Sequence, residues 1–189
     1  MAVNKAMQTN VRHIFAVGDV TGPYQFTHMA GYQAGLVIGR SLFGNLFTKA
    51  NYSAVPWVTY TTPELAQVGL NEQAAREKFG GNFKITRVNF SENDRAITEG
   101  SPQGFVKVMT TKKGRIVGAT LVGEDAGELI SLWAYAMAHG HTMRHITKFI
   151  APYPTKAESA KRVASAFYQP TFYSNTTKGI SHILFKLFG

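Results

Sequence analysis

At 189 residues, 44% of them hydrophobic, the chain has enough apolar mass for one domain, or for one domain and part of another, and disorder is excluded. It holds no cysteine, which removes disulfide scaffolds, thiolate nucleophiles, CxxC redox pairs and cysteine-ligated metal sites from this segment. The net charge is +9, yet only 16% of residues are charged and no dense Lys/Arg block occurs, so the surplus is a weak pointer to nucleic acid, acidic membrane or anionic ligand.

Arg12 to Val17 reads as a short buried strand running into Gly18-Asp19 and a Gly22-Pro23 turn. A proline-free helix follows from Thr27 to Phe43, with Thr27 as its cap and Gly31, Gly35 and Gly39 on one face for close packing. Residues Gly44 to Pro56 form a linker. One strand and one helix cannot make a domain, so this stretch reads as the end of a larger one.

Past the linker, Trp57–Thr61 and Leu65–Gly69 read as strands around Pro63, and Asn71 caps a helix ending near Phe79. Lys84–Phe90 is another alternating run. Phe105–Thr110 and Arg115–Val122 form a hairpin about Lys112-Lys113-Gly114, where Gly114 supplies a positive φ. Gly127–Ala138 is a helix with Leu129, Ile130, Leu132, Trp133, Ala136 and Met137 turned inward, and His141–Phe149 continues helically. After Pro152 and Pro154, Thr155–Phe167 is helical, with Thr155 and Glu158 spaced as a capping box. The expected fold class is α+β, an antiparallel sheet flanked by helices plus the short strand–helix piece. The expected divisions are 1–48, 49–173 and a tail from 174.

No run reaches the ~20 apolar residues of a bilayer span, Leu129 to Ala138 included, and Met1 to Asn10 is too polar for a signal peptide. The expected compartment is the cytoplasm. Ile180, Ile183, Leu184, Leu187 and Phe188 follow helical spacing, a stripe suited to an acidic membrane surface or to docking on the domain itself. His139, His141 and His145 are close in sequence, but no carboxylate lies at matching helical spacing, so no metal is assigned to them.

Two groups of residues carry chemistry. A strand ending in Gly18-Asp19 lets a ligand approach the glycine backbone while the carboxylate accepts hydrogen bonds from hydroxyls; a turn or cap role is the plain alternative. Glu158 is either a capping carboxylate or a partner for Tyr153, and both roles can coexist.

The stretch Met7 to Asp19, followed by Thr27-His28-Met29-Ala30, resembles the second flavin motif of the pyridine nucleotide-disulfide oxidoreductases. Val55-Pro56, Tyr60 to Leu70, Gly104 to Gly118, Gly127-Glu128-Leu129-Ile130 and Pro154-Thr155-Lys156-Ala157-Glu158 resemble that family's C-terminal dimerisation domain, in order. The resemblance covers roughly Met7 to Phe167. It implies an enzyme using FAD and NAD(P)H, with Gly18, Asp19, Thr27 and His28 at the flavin and Asp19 on its ribityl chain. It also implies a homodimer in which each C-terminal element completes the partner's flavin site.

Dihydrolipoamide dehydrogenases carry a His-Pro-Thr-x-x-Glu element whose histidine takes the thiol proton; here Tyr153 holds that position, with Glu158 at the glutamate. A phenol of pKa near ~10 is a poor base at neutral pH. Pro152-Tyr153-Pro154-Thr155 is also similar to the mercuric reductase element. With no GxGxxG and no redox cysteine pair present, the chain reads as a C-terminal portion that is inactive and binds no cofactor by itself. The competing reading is a stand-alone basic module for nucleic acid or a membrane surface, against which the scattered Lys and Arg residues count.

Overall fold

The computed structural model describes residues 1–188, the side chain of Thr176 excepted, and divides into two compact units, Met1–Tyr52 and Ser53 onward.

The first unit is built on helix α1 (Thr27–Phe43). Residues expected as a buried strand from Arg12 to Val17 make instead a tight return. Gln8 and Phe15 form one isolated bridge, the Ala16 N–H donates to Met7 O at 3.1 Å, and Ile14 is 42% exposed. A strand needs lateral partners along its length, and this unit offers seven-residue closure on itself rather than a sheet. Thr27 is the first residue inside α1 and does not cap it, because Phe26 takes the extended cap conformation. The glycine face is also not a packing face here: a Cβ on Gly31, Gly35 or Gly39 would meet open space.

The second unit holds a five-stranded sheet in the order β1-β2-β5-β4-β3. Its strands are β1 (Pro56–Thr59), β2 (Glu64–Gly69), β3 (Phe83–Asn89), β4 (Phe105–Thr111) and β5 (Ile116–Gly123), and every pairing is antiparallel. The β4–β5 hairpin turns through Gly114 at φ 83°, the left-handed region in which glycine pays no steric cost. Helix α2 (Glu72–Phe79) starts under Asn71, whose side chain accepts the Ala74 N–H at 2.8 Å.

Helix α4 (Ala126–Ala138) packs over β2 and β5, burying Ala126, Ile130, Trp133 and Ala136, while Leu129, Leu132 and Met137 stay half-buried. Helix α6 (Ser159–Phe172) packs over β3 and β4 through Val163, Ala164 and Phe167. These side chains meet Ala66, Val68, Val106, Val108, Ala119 and Leu121 in one apolar cluster, the main source of stability for this unit. Gly118 in β5 has a separate reason to be glycine: a Cβ there would run into the Leu70 backbone.

Four helical features differ from the sequence expectation. Helix α3 (Asp94–Thr98) was not foreseen; Asn93 caps it by accepting the Ala96 N–H at 3.0 Å. Helix α5 is confined to Met143–Thr147, because Gly140 at φ 65° ends the preceding helix. The Thr155/Glu158 capping box is absent: the Thr155 hydroxyl donates to Pro152 O at 2.7 Å, residues Lys156–Glu158 form a 3-10 turn, and α6 starts only at Ser159. The tail is helix α7 (Asn175–Phe188), and its apolar stripe is not docked on the domain, Ile180 being 53% and Leu187 68% exposed. No helix among the described residues is long and apolar enough to cross a membrane.

Gly118→Ala is expected to cost about 3 kcal/mol and to lower the melting temperature by roughly 6–12 °C. Gly31→Ala, with open space at its Cβ, should instead stabilise its unit by about 0.5–1 kcal/mol. Thermal unfolding followed by circular dichroism measures both.

Candidate functional site

The segment between α5 and α6 carries Tyr153 and Glu158, and the unforeseen helix α3 holds it in place. Asn93 Nδ2 donates to Thr155 O at 3.1 Å, and the Tyr153 hydroxyl donates to Asp94 Oδ2 at 3.1 Å. Glu99, just past α3, accepts from Lys156 at 2.9 Å. One side chain before α3, one at its start and one after it thus fix three nearby positions of the element.

Lys156 is the tightest of these anchors. Its side chain is 7% exposed, and its ammonium meets Glu99 at 2.9 Å and both Glu124 and Asp125 at 2.8 Å. Glu124 and Asp125 come from the turn between β5 and α4, so one cation ties the element to α3 and to the end of the sheet. A buried ammonium is costly unless paired and hydrogen-bonded, and all three of its protons find carboxylate oxygens here. Burial opposes the charge, but the hydrogen bonds to Asp125, Glu124 and Glu99 outweigh it and raise the Lys156 pKa. Glu99 and Glu124 are correspondingly held below their usual carboxylate values, chiefly by hydrogen bonds from Lys156. Among the described residues only Glu99, Glu124 and Asp125 bring three metal-type ligand atoms within 4.8 Å of one another, and Lys156 is the cation they share.

Tyr153 is 71% exposed, and its phenol is pushed above its usual value by the hydrogen bond to Asp94 and by that carboxylate's charge. It is therefore a neutral hydroxyl through the physiological range. Glu158 sits near it in an open cleft of about 690 Å³. Its Oε1 lies 3.5 Å from the Arg162 guanidinium, whereas its Oε2 and the Arg162 Nε are buried with no hydrogen-bond partner. Such unpaired atoms are costly in a finished site, so this pair is chemically unsaturated as it stands.

In the first unit, Gly18 takes φ 75° and passes over α1, where a Cβ would come within 3.2 Å of Ala30 Cβ. Its N–H donates to Gln33 Oε1 at 2.7 Å, and Gln33 Nε2 donates to Tyr52 at 3.2 Å. Gln33 is 2% exposed, so the residue that merely interrupts a glycine stripe in the sequence is the buried polar link fixing this turn. Asp19 opens the following 3-10 turn with its side chain exposed. Thr27 and His28 occupy the first turn of α1, where the amide of Thr27 has no intrahelical acceptor. His28 also stacks on Phe26, with ring centroids 5.1 Å apart. The exposed Asp19 carboxylate after the Gly18 turn is of the chemical type that accepts hydrogen bonds from a polyol's hydroxyls.

The histidines behave differently. His141 stacks on His145 at 4.8 Å, His139 Nδ1 lies 2.9 Å from Tyr135 O, and His145 Nδ1 accepts the Thr142 N–H at 3.0 Å. The His139 and His145 nitrogens serve helix ends. Basic side chains likewise engage the chain's own aromatics, with Arg87 over Phe105 at 4.0 Å and Lys84 over Phe167 at 4.8 Å.

The second unit is thus an antiparallel sheet under two helices, with the Tyr153–Glu158 segment anchored at one end. Residues 55–164 match the family described as "Pyridine nucleotide-disulphide oxidoreductase, dimerisation domain". The dihydrolipoyl dehydrogenase of Bacillus subtilis (strain 168) is 38% identical over 158 residues, which is 83% of this chain and 34% of that protein. The mercuric reductase of Staphylococcus aureus is 36% identical over 165 residues, 87% of this chain and 30% of that protein. The solved Cu(II) complex of the HOCl-induced flavoprotein disulfide reductase RclA from Escherichia coli superposes with a TM-score of 0.80 at 28% identity, over 87% of this chain and 37% of that one. The chain belongs to the pyridine nucleotide-disulfide oxidoreductases and contains their dimerisation domain. It spans about a third of the length of the curated relatives it matches.

Replacing Lys156 by Met removes the cation shared by three neighbouring carboxylates, of which Glu99 keeps a second partner, Arg95, and is expected to cost on the order of 2–3 kcal/mol at pH 7. Because the Glu99 and Glu124 pKa values are depressed, their contribution is present above the usual carboxylate pKa and is lost as pH falls through their lowered values. The difference in melting temperature between wild type and Lys156→Met should therefore be large at pH 7 and shrink as the pH is taken below the usual carboxylate range.

Proposed function

We propose that this chain is the self-associating portion of an FAD-dependent NAD(P)H oxidoreductase resembling dihydrolipoamide dehydrogenase, acting in the cytoplasm as a homodimer. In this reading its Tyr153–Glu158 element completes the flavin site of the partner subunit. The observation that carries it is the unsaturated pair at that element. Glu158 Oε2 and Arg162 Nε have no partners within the chain, while α3 and Lys156 hold the element rigidly toward an open cleft. A rigid but unfinished site is what a composite active site requires of each contributor.

Bound FAD would supply the two-electron step between NAD(P)H and the acceptor. Asp19 would accept hydrogen bonds from the flavin's ribityl hydroxyls, with Gly18 leaving room for the approach. Thr27 and His28 would bring the positive end of α1 to the ring. Tyr153, kept neutral by Asp94, would act as a hydrogen-bond donor or acceptor at the second site rather than as a thiol base, and Glu158 would fix its surroundings. The exposed apolar side chains of the first unit, Phe43 at 78% and Phe47 at 93%, would be covered by the rest of a flavin-binding domain.

The chain purified alone should sediment as a dimer at micromolar concentration and be colourless. A monomer would contradict the assembly role, and a stoichiometric yellow flavin spectrum would contradict the incompleteness of the cofactor site.

A further inference from the structure

We propose that α7 is a membrane-surface helix that docks on anionic lipid. This helix lies beyond the family-matched residues 55–164, and neither the sheet nor the Tyr153 element uses it. At 100° per residue, Ile180, Ile183, Leu184, Leu187 and Phe188 fall within an arc of about 140°. All five are at least 49% exposed, and Phe188 reaches 84%. A continuous exposed apolar stripe of this kind needs a cover.

Charge selects the cover. Lys178, His182 and Lys186 occupy the opposite arc, and no acidic residue occurs from Ser159 to the last residue in the sequence, where Lys161 and Arg162 add further positive charge. A second copy of α7 would bring like charges together. Anionic headgroups instead complement the lysines while the stripe enters the headgroup and acyl boundary. The 14 described residues of the helix are enough to lie in that boundary.

The test is co-sedimentation of the full chain with vesicles of phosphatidylcholine containing 30% phosphatidylserine, against pure phosphatidylcholine. It uses the wild type and the charge-neutral double variant Ile183→Ser with Leu187→Ser. Both positions are exposed, so the melting temperature of the domain should be unchanged and the variant remains folded. Wild type should partition at least tenfold better onto the anionic vesicles, the double variant should lose at least tenfold of that, and 0.5 M salt should weaken it. Equal partitioning of wild type and variant would overturn the proposal. So would a wild-type oligomer that the variant dissociates without any vesicle binding by either, which would make a second copy the occupant.

Discussion

A single buried ammonium, that of Lys156, fixes the segment between α5 and α6 on the domain. Its three carboxylate partners come from the end of α3 and from the turn between β5 and α4, elements separated in sequence and joined here by one cation. The sheet and its two covering helices provide a stiff base. Lys156 transfers that stiffness to Thr155 and Tyr153, with Asn93 and Asp94 securing the same segment by hydrogen bonds. A loop with two prolines and an 86% exposed Ile150 would otherwise have little to order it. The anchor is also pH-tolerant, since a raised lysine pKa and lowered carboxylate pKa values keep the pairs charged from mild acid into the alkaline range.

This rigidity contrasts with what is left unsatisfied. Glu158 and Arg162 each bury an atom with no partner, α1 shows an open glycine face, and large apolar residues of the first unit face solvent. Each unit folds around a local organiser, Gln33 in the first and the apolar cluster in the second. The proposed dimeric flavoprotein would cover these surfaces with its partner subunit and the rest of its chain.

The sheet was legible in the sequence because its signals are local. The Lys-Lys-Gly turn needs only a residue tolerant of positive φ, Asn71 needs only the amide three residues on, and the Trp133 face of α4 repeats at helical spacing. What was not legible depends on distance along the chain. Asn93 reaches Thr155 and Tyr153 reaches Asp94 across 62 and 59 positions, and a five-residue helix leaves no periodic trace. The capping-box pattern at Thr155 misled because a nearer acceptor, Pro152 O, took the hydroxyl. Likewise the strand expected before Gly18 has the right residues, but the single Gln8–Phe15 bridge is its lateral pairing among the described residues. The one signal that could have exposed Lys156 is the adjacent pair Glu124-Asp125 directly after an apolar strand, an acidic turn that suits a buried cation.

The central claim, that two chains share each active site, is tested most directly by mixed dimers of a full-length flavoprotein carrying this segment. One subunit would bear Asp19→Ala and the other Glu158→Ala, with the heterodimer isolated by two different tags. If the element serves the partner, one site of each mixed dimer carries both lesions and the other carries none, and activity should return to about half of wild type. If Asp19 and Glu158 act within one chain, every site carries a lesion and the mixed dimer stays as inactive as its parents, which would contradict the account.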